Sequence, residues 1–253
     1  MAELSKEQKE RYKWQIAVIG EDGQEKIGNT RLLIAGAGGL GSTAALFAAM
    51  AGFGTIRIID PDCIEETNLN HQLLYRETDI GRPKADTAAK ALHAMNSSID
   101  VKPVTAAIGI TPARDLIRGI DIVIDGLDNY PARFLWADAA WKCGIPFIYG
   151  AAEGFYGQVC TILPKTSPCL HCIVPNPPPL RENPLIGVTT GMIGSVQVTE
   201  AIKLATGIGM PISDHLWLWD GIRQKSDRLR IDRIPACHIC GKGECQMPGE
   251  RML

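Results

Sequence analysis

An α/β fold, in which a mostly parallel sheet carries helices on both faces and an antiparallel extension follows toward the carboxyl end, is what this 253-residue sequence predicts. Three observations carry that expectation. From Leu32 to about Gly150, apolar β-rich runs alternate with helical stretches, the order that returns each strand parallel to the last. After Tyr156 the alternation gives way to "YGQVCTILP", whose period of two suits an antiparallel strand. Apolar residues make up 45% of the chain and charged ones 21%, enough apolar surface for a full core. The length suits one large domain, 1–253, or a domain with a small appendage; the order of elements divides it into a helical arm over 1–30, a core part over 31–150 and a distinct carboxyl part over 151–253.

The elements follow in order. A polar helical arm, about Ser5 to Gly28, leads into "RLLIAG", a buried-strand run ending in glycine. "GLGSTAALFAAMAG" has helical composition and "TIRIID" is the second strand. Past an acidic loop, "PKADTAAKALHAMN" is a helix opened by Pro83, whose missing N–H is harmless in the first turn. "VKPVTA" is a weak third strand, "IDIVID" a strong fourth, "PARFLWADAAWKCG" a helix closed by Gly144, and "IPFIYGA" a fifth strand. Beyond them lie a proline-rich extended strap, "PNPPPLRENP", and a last helix, "GMIGSVQVTEAIKLATG".

Composition excludes several classes. A formal net charge of −2 gives no electrostatic reason for nucleic acid or a membrane surface. The amino-terminal "MAELSKEQKERYKWQ" is too charged for a signal peptide, and glycines interrupt the uncharged run from Leu32 to Ile56. A cytoplasmic protein is expected, in which the eight cysteines serve as thiols or metal ligands. Cys143 and Cys160 read as buried small apolar residues and Cys63 as a loop thiol.

Chemistry concentrates at three places. "GAGGLG" sets Gly36, Gly38 and Gly41 in G-x-G-x-x-G spacing after a strand and before a helix, the Rossmann-like turn that lets backbone approach a phosphate at a helix N-terminus. Asp60 ends the next strand, where a carboxylate can accept both ribose hydroxyls. Lys84 stands in the first turn of a helix, a position the macrodipole disfavours by roughly 0.5 kcal/mol unless an anion is near; a solvated lysine is the alternative. Asp128 lies past the fourth strand on the rim where parallel sheets bind ligands, or else starts the following helix. The added lysine–acid pair suits a magnesium-bound triphosphate better than a nicotinamide. Finally, "CLHC" and "CHIC" pair Cys169 with Cys172 and Cys237 with Cys240, two knuckles that together would close a tetrahedral zinc site. His171 and His238, inside the knuckles, are alternative ligands.

From "RYKWQ" through "GAGGLG", "DPDCIEETNLNHQ", "GRPK", "LDN" and "EGFYGQV" to both cysteine pairs, the chain resembles the MoeB/ThiF/HesA family, bacterial relatives of the ubiquitin-activating enzymes. The resemblance implies a homodimer that binds ATP and Mg2+ and adenylates a carboxylate with release of pyrophosphate. The acceptor would be the carboxyl-terminal glycine of a ubiquitin-like sulfur-carrier protein or a small carboxylic acid. It implies Gly36, Gly38, Gly39 and Gly41 at the nucleotide turn, Asp60 on the ribose, Asn68 and Lys84 on the phosphates, Asp128 on Mg2+, and Zn2+ on Cys169, Cys172, Cys237 and Cys240. No side-chain nucleophile is needed, because the substrate supplies it; positioning and electrostatics would dominate.

The chain departs from that pattern twice. Where the family places phosphate-contacting arginines, this sequence has Trp14 on the arm and His71 in the acidic loop. Losing one such contact can cost on the order of 3 kcal/mol in the transition state, and a histidine of ordinary pKa, about 6.5, is mostly neutral at pH 7. A nearby triphosphate would raise His71; a neutral, hydrogen-bonding loop residue is the alternative. Arg11, Lys13, Arg76 and Arg82 are candidate compensating cations. Residues 173 to 236 hold no cysteine, so the reaction is expected to stop at the acyl-adenylate. A nucleotide-binding regulator or scaffold with little turnover is the competing reading, and a nicotinamide oxidoreductase, resting on the glycine turn alone, a third.

Overall fold

The computed structural model describes residues 3–105, 113–179 and 184–241. The arm is two helices rather than one. α1 (Lys6–Arg11) starts at Ser5, whose hydroxyl accepts the Gln8 N–H at 3.2 Å while the Gln8 side chain accepts the Ser5 N–H at 2.9 Å. α2 (Lys13–Asn29) kinks at Gly20, where φ is +76°. Its inner face is fastened by the amides of Gln15 and Gln24, which both donate to the Ala51 carbonyl, at 2.9 and 3.0 Å.

The remaining elements are β1 (Arg31–Ala35), α3 (Gly39–Ala51), β2 (Thr55–Ile59), α4 (Lys84–Met95), β3 (Asp100–Val104), α5 (Ala113–Leu116), β4 (Ile122–Asp125), α6 (Tyr130–Cys143), β5 (Phe147–Glu153), β6 (Tyr156–Ile162), α7 (Leu170–Ile173), α8 (Gly187–Thr206), β7 (His215–Asp220) and β8 (Lys225–Arg230). They build one eight-stranded sheet in the order β3-β2-β1-β4-β5-β6-β7-β8. The first five strands pair in parallel and the last three antiparallel, as the sequence predicts. The β7–β8 hairpin is an addition: the sequence reading assigns nothing there. The last helix starts at Gly187, one turn before the predicted stretch. Within the predicted third strand Ala106, and within the strap residues 180–183, lie outside the described residues.

Two apolar layers cover the sheet. On one face α3, α4 and α8 pack Leu40, Ala48, Leu92, Ile193 and Val198 against alternate residues of β1, β2 and β4. On the other, α6 and its neighbours pack Trp136, Ala140 and Leu170 against Leu33, Val123 and Phe147. Adjacent strand residues thus point into different layers, and both sides of the central strands are dry. The order of strands reverses between β1 and β4, which opens a crevice at their carboxyl ends. Among the described residues no helix is long and apolar enough to cross a membrane.

Candidate active site and metal centre

The crevice is lined first by the glycine turn. Gly36 has φ +94°, and an added Cβ would stand 2.6 Å from the Gly126 carbonyl, so β1 and β4 close on each other only because both residues are glycine. A Cβ on Gly41 would lie 1.9 Å from the Gly36 carbonyl, which fixes the first turn of α3 onto the strand it leaves. No side chain caps α3, so its leading N–H groups and positive dipole end face the crevice. At Gly38 the nearest atom to an added Cβ is 3.9 Å away. Steric packing does not require glycine there.

Asp60 is buried beneath this turn. Its carboxylate accepts the Ala37 N–H at 2.7 Å and the Asp62 N–H at 2.8 Å. Burial raises its pKa, opposed by those two amides and the Lys84 ammonium. Lys84, the first residue of α4, is also buried, at 7% exposure, and its Nζ meets Asp62 Oδ2 at 3.4 Å. A solvated surface lysine is thereby ruled out. Tyr75 is packed between the two elements, its hydroxyl donating to the Ala37 carbonyl at 2.8 Å with the Lys84 carbonyl at 3.4 Å.

The loop after β2 forms the next wall. Asn68 closes a single 3₁₀ turn, its side-chain oxygen accepting the Glu65 N–H at 3.0 Å, and it does not line the cleft. Asn70, His71 and Gln72 do. His71 Nδ1 meets Asn70 Oδ1 at 2.7 Å and its Nε2 meets Gln72 Nε2 at 3.4 Å. Burial and the Lys84 ammonium hold His71 below the ordinary histidine range. Gly187 and Thr190 of α8 pack against this loop and Gly39, an added Cβ on Gly187 lying 2.6 Å from the Asn70 carbonyl.

The rim of β4 completes the cleft. Asp128 is exposed to it and accepts from the Asn129 side chain at 3.0 Å. The cap of α6 is Asn129, which accepts the Ala132 N–H, so Asp128 is not spent on starting that helix. Behind it lies a group that sequence reasoning missed. Arg133, 4% exposed, pairs with Asp125 at 3.6 Å, donates to the Leu127 carbonyl at 2.6 Å and lies against the rings of Tyr130 and Tyr149. Burial, countered by Arg133, pushes Asp125 up to about 6. The one sequence signal was an aspartate ending the otherwise apolar strand "IVID". Together these walls enclose about 1160 Å³, extending past β4 to Tyr156, Gln158, Leu185 and Trp219. That volume takes a nucleotide and the end of an extended acceptor.

The cysteine cluster stands apart. Cys169, Cys172, Cys237 and Cys240 place their Sγ atoms within 4.8 Å of one another, with separations of 3.9, 3.5 and 3.3 Å among the closest pairs. Tetrahedral zinc at about 2.3 Å from each sulfur sets edges of roughly 3.8 Å, so the cluster fits the ion. Burial raises the Cys169 thiol and pushes Cys240 up to about 11, whereas Cys237, despite its own burial, is brought down to about 7 by the Cys240 and Ile239 backbone and the neighbouring thiols; further thiolates in this pocket need a cation. His171 is turned away to Asp138, at 3.0 Å, and packs between Phe134 and His238; four sulfurs make the site and the histidines are not needed as ligands. Of the remaining thiols among the described residues, Cys160 is buried as expected and Cys63 is exposed in its loop, but Cys143, the last residue of α6, is exposed rather than buried.

Known proteins place this arrangement. The sequence profile of the ThiF family matches residues 12–239. The chain is 35% identical to the sulfur carrier protein adenylyltransferase of Thermus thermophilus, over 94% of this chain and 92% of that one. It is 33% identical to the SAMP-activating enzyme E1 of Haloferax volcanii, over 89% and 85% respectively. Among solved structures, E. coli MccB with ATP superposes with a TM-score of 0.80 at 22% identity, covering 91% of this chain and 74% of that one, a likeness of fold. With the glycine turn, the rim acid and the four-cysteine cluster each in place, the chain belongs to the ThiF family.

Proposed function

We propose that this chain is an ATP-dependent adenylyltransferase that activates a carboxylate as its acyl-adenylate. The observation that carries the reading is the convergence of Lys84, Asp128 and the α3 N-terminus on one cleft, with Asp60 beneath the turn. A carboxylate attacking the α-phosphorus is one anion approaching another, so the site has to spread positive charge around the phosphates. Lys84, held by burial in one position, supplies a fixed cation, and the α3 amides supply donors. Asp60 has both oxygens oriented by backbone N–H groups and keeps lone pairs for ribose hydroxyls. Asp128 would hold Mg2+, which when bound neutralises the phosphates. Asn68 acts through the loop it closes rather than from the cleft wall.

The relatives named above support the acceptor class. One is a sulfur carrier protein adenylyltransferase and one a SAMP-activating enzyme, so the glycine tail of a ubiquitin-like carrier is the acceptor we favour, with a small carboxylic acid second. No cysteine lines the cleft among the described residues, which supports an end at the adenylate. Exposed Trp14 and Val18 on α2 give a second copy apolar surface to meet, in keeping with a cytoplasmic homodimer. Zinc on the four cysteines would hold residues 237–240 against α7.

Carboxylate-dependent exchange of labelled pyrophosphate into ATP tests the activity. Exchange with a carrier tail, lost on Asp128→Ala, is expected; ATP binding with no exchange for any carrier or acid would instead support the regulator reading. That second reading has its own support: burial and the Lys84 ammonium lower the His71 pKa at the position where the family carries an arginine.

A further inference from the structure

We infer that Asn70, His71 and Gln72 form a protonatable clamp, so that binding of a nucleotide triphosphate draws one proton from solvent onto His71. The inference rests on the nucleotide reading above. It begins with an orphan. Gln72 is 5% exposed and lines the cleft, yet its side-chain oxygen has no hydrogen-bond partner. A buried carbonyl oxygen without a donor is costly and rare. Its amide nitrogen is the group turned to His71 Nε2.

The donors decide what the ring can be. With Asn70 Oδ1 as acceptor at 2.7 Å, Nδ1 carries the proton; with an amide NH2 facing it, Nε2 offers a lone pair. That is a neutral imidazole, and the surroundings agree. Lys84 on α4 repels a second cation, and burial disfavours one. Gly39 of α3 and Thr190 of α8, the other groups packed on the ring side, bring no charge. Asp60, Asp62 and Asp128 share the cleft, and the first two are oriented toward backbone amides and Lys84.

A triphosphate reverses the balance. Its charge outweighs the Lys84 repulsion and favours imidazolium. The ring then has N–H donors on both nitrogens, and a half-turn of the Gln72 amide presents the orphan oxygen to Nε2–H. Two amide oxygens hold the cation in place and the unsatisfied acceptor gains its donor. Gln72 is the positioning residue in this account and His71 the charge.

The experiment is calorimetric titration of the protein with magnesium and a non-hydrolysable α,β-methylene ATP analogue, in buffers of different ionisation enthalpy, from pH 6 to 8. Proton uptake means that affinity falls as pH rises, by up to tenfold per unit between the free and bound pKa of His71. His71→Arg should bind with no uptake and a flat pH profile. Gln72→Met, similar in size but without the amide oxygen, should bind with reduced uptake. In parallel, the His71 ring resonance should titrate below the usual histidine range in the free protein and above pH 7 with analogue bound. Binding by the wild type without uptake overturns the clamp and leaves the nucleotide site standing. Uptake that persists in His71→Arg assigns the proton to a carboxyl such as Asp60 and also overturns it. No binding at any pH overturns the nucleotide reading and the clamp together.

Discussion

The two ends of the sheet are held by different forces. From β3 to β5 the strands are parallel, and at its centre β1 and β4 are dry on both faces, so hydrophobic burial and backbone ladders suffice. From β6 to β8 burial drains away: β7 buries one residue in six and β8 none. A hairpin so wet is marginal alone. The chain that leaves it, at Ile231 to Cys240, is fastened back by the cysteine cluster, by Ile234 N–H to Cys172 Sγ at 3.3 Å, and by Arg233 to the Ser167 carbonyl at 3.0 Å. The parallel end is thus a product of packing, and the antiparallel end of a few cross-links.

The sharpest way to break that comparison is to remove the zinc proposed on the four cysteines. Chelation, or Cys172→Ser, should cost on the order of 3 kcal/mol or more and expose residues 225–241 to protease, while analogue binding survives. Equal loss at both ends would make the sheet one cooperative unit. Next in size is Arg133→Leu, which strands the buried Asp125 and should cost about 3–5 kcal/mol, read by denaturant melts. Its partner gives a pH signature. Because Asp125 titrates near 6 in the fold against about 4 unfolded, the folded chain binds the extra proton between those values. Stability from this group is therefore greatest below pH 4 and falls through pH 6, by on the order of 1–3 kcal/mol, and Asp125→Asn should flatten that slope. Asp128→Ala, exposed and away from the core, should leave the melting temperature alone and slow adenylation by roughly 10²–10³-fold. Smallest is a pair within one turn. Gly41→Ala must dislodge the Gly36 carbonyl and should destabilise the fold, whereas Gly38→Ala meets nothing closer than 3.9 Å and should weaken nucleotide binding by about tenfold with no change in stability.

How much could be read from the chain divides along the same line. In the nucleotide half, local chemistry names the structure: buried parallel strands are written as apolar runs, and a glycine is written where backbone meets backbone. The position of Asp60 and Lys84 follows from those elements. Of the β7–β8 hairpin, β8 is illegible for the opposite reason, since "KSDRLR" is exposed throughout and carries no alternation to find, whereas β7, "HLWLWD", carries an apolar aromatic run to which the sequence reading assigns no strand. Arg133 was missed because its meaning lies in a partner on another element, Asp125, and Gln72 because only the packing around its loop shows that its side chain is buried with an unpartnered oxygen. Asn129 took the capping role that Asp128 alone could not be denied from sequence. Cys143 looked buried because it closes an apolar helix, and its exposed side was set by where that helix lands.

One long element, α8, bears on the glycine turn, the His71 loop and the end of β4. The first turn of α8 bears on the His71 loop and Gly39; Gly194 lies against Thr43 of α3; and Gln197, farther along, donates to the carbonyls of Asp125 and Ile148 at 2.8 and 3.1 Å. Leu185, just after the proline-rich strap, leads into that same helix and is bridged to Gly154. The proposed phosphate site and the far end of the cleft therefore lean on the same helix. If the proposed acceptor shifts this helix on binding, the nucleotide site feels it, and by thermodynamic reciprocity the nucleotide then alters acceptor affinity by the same factor.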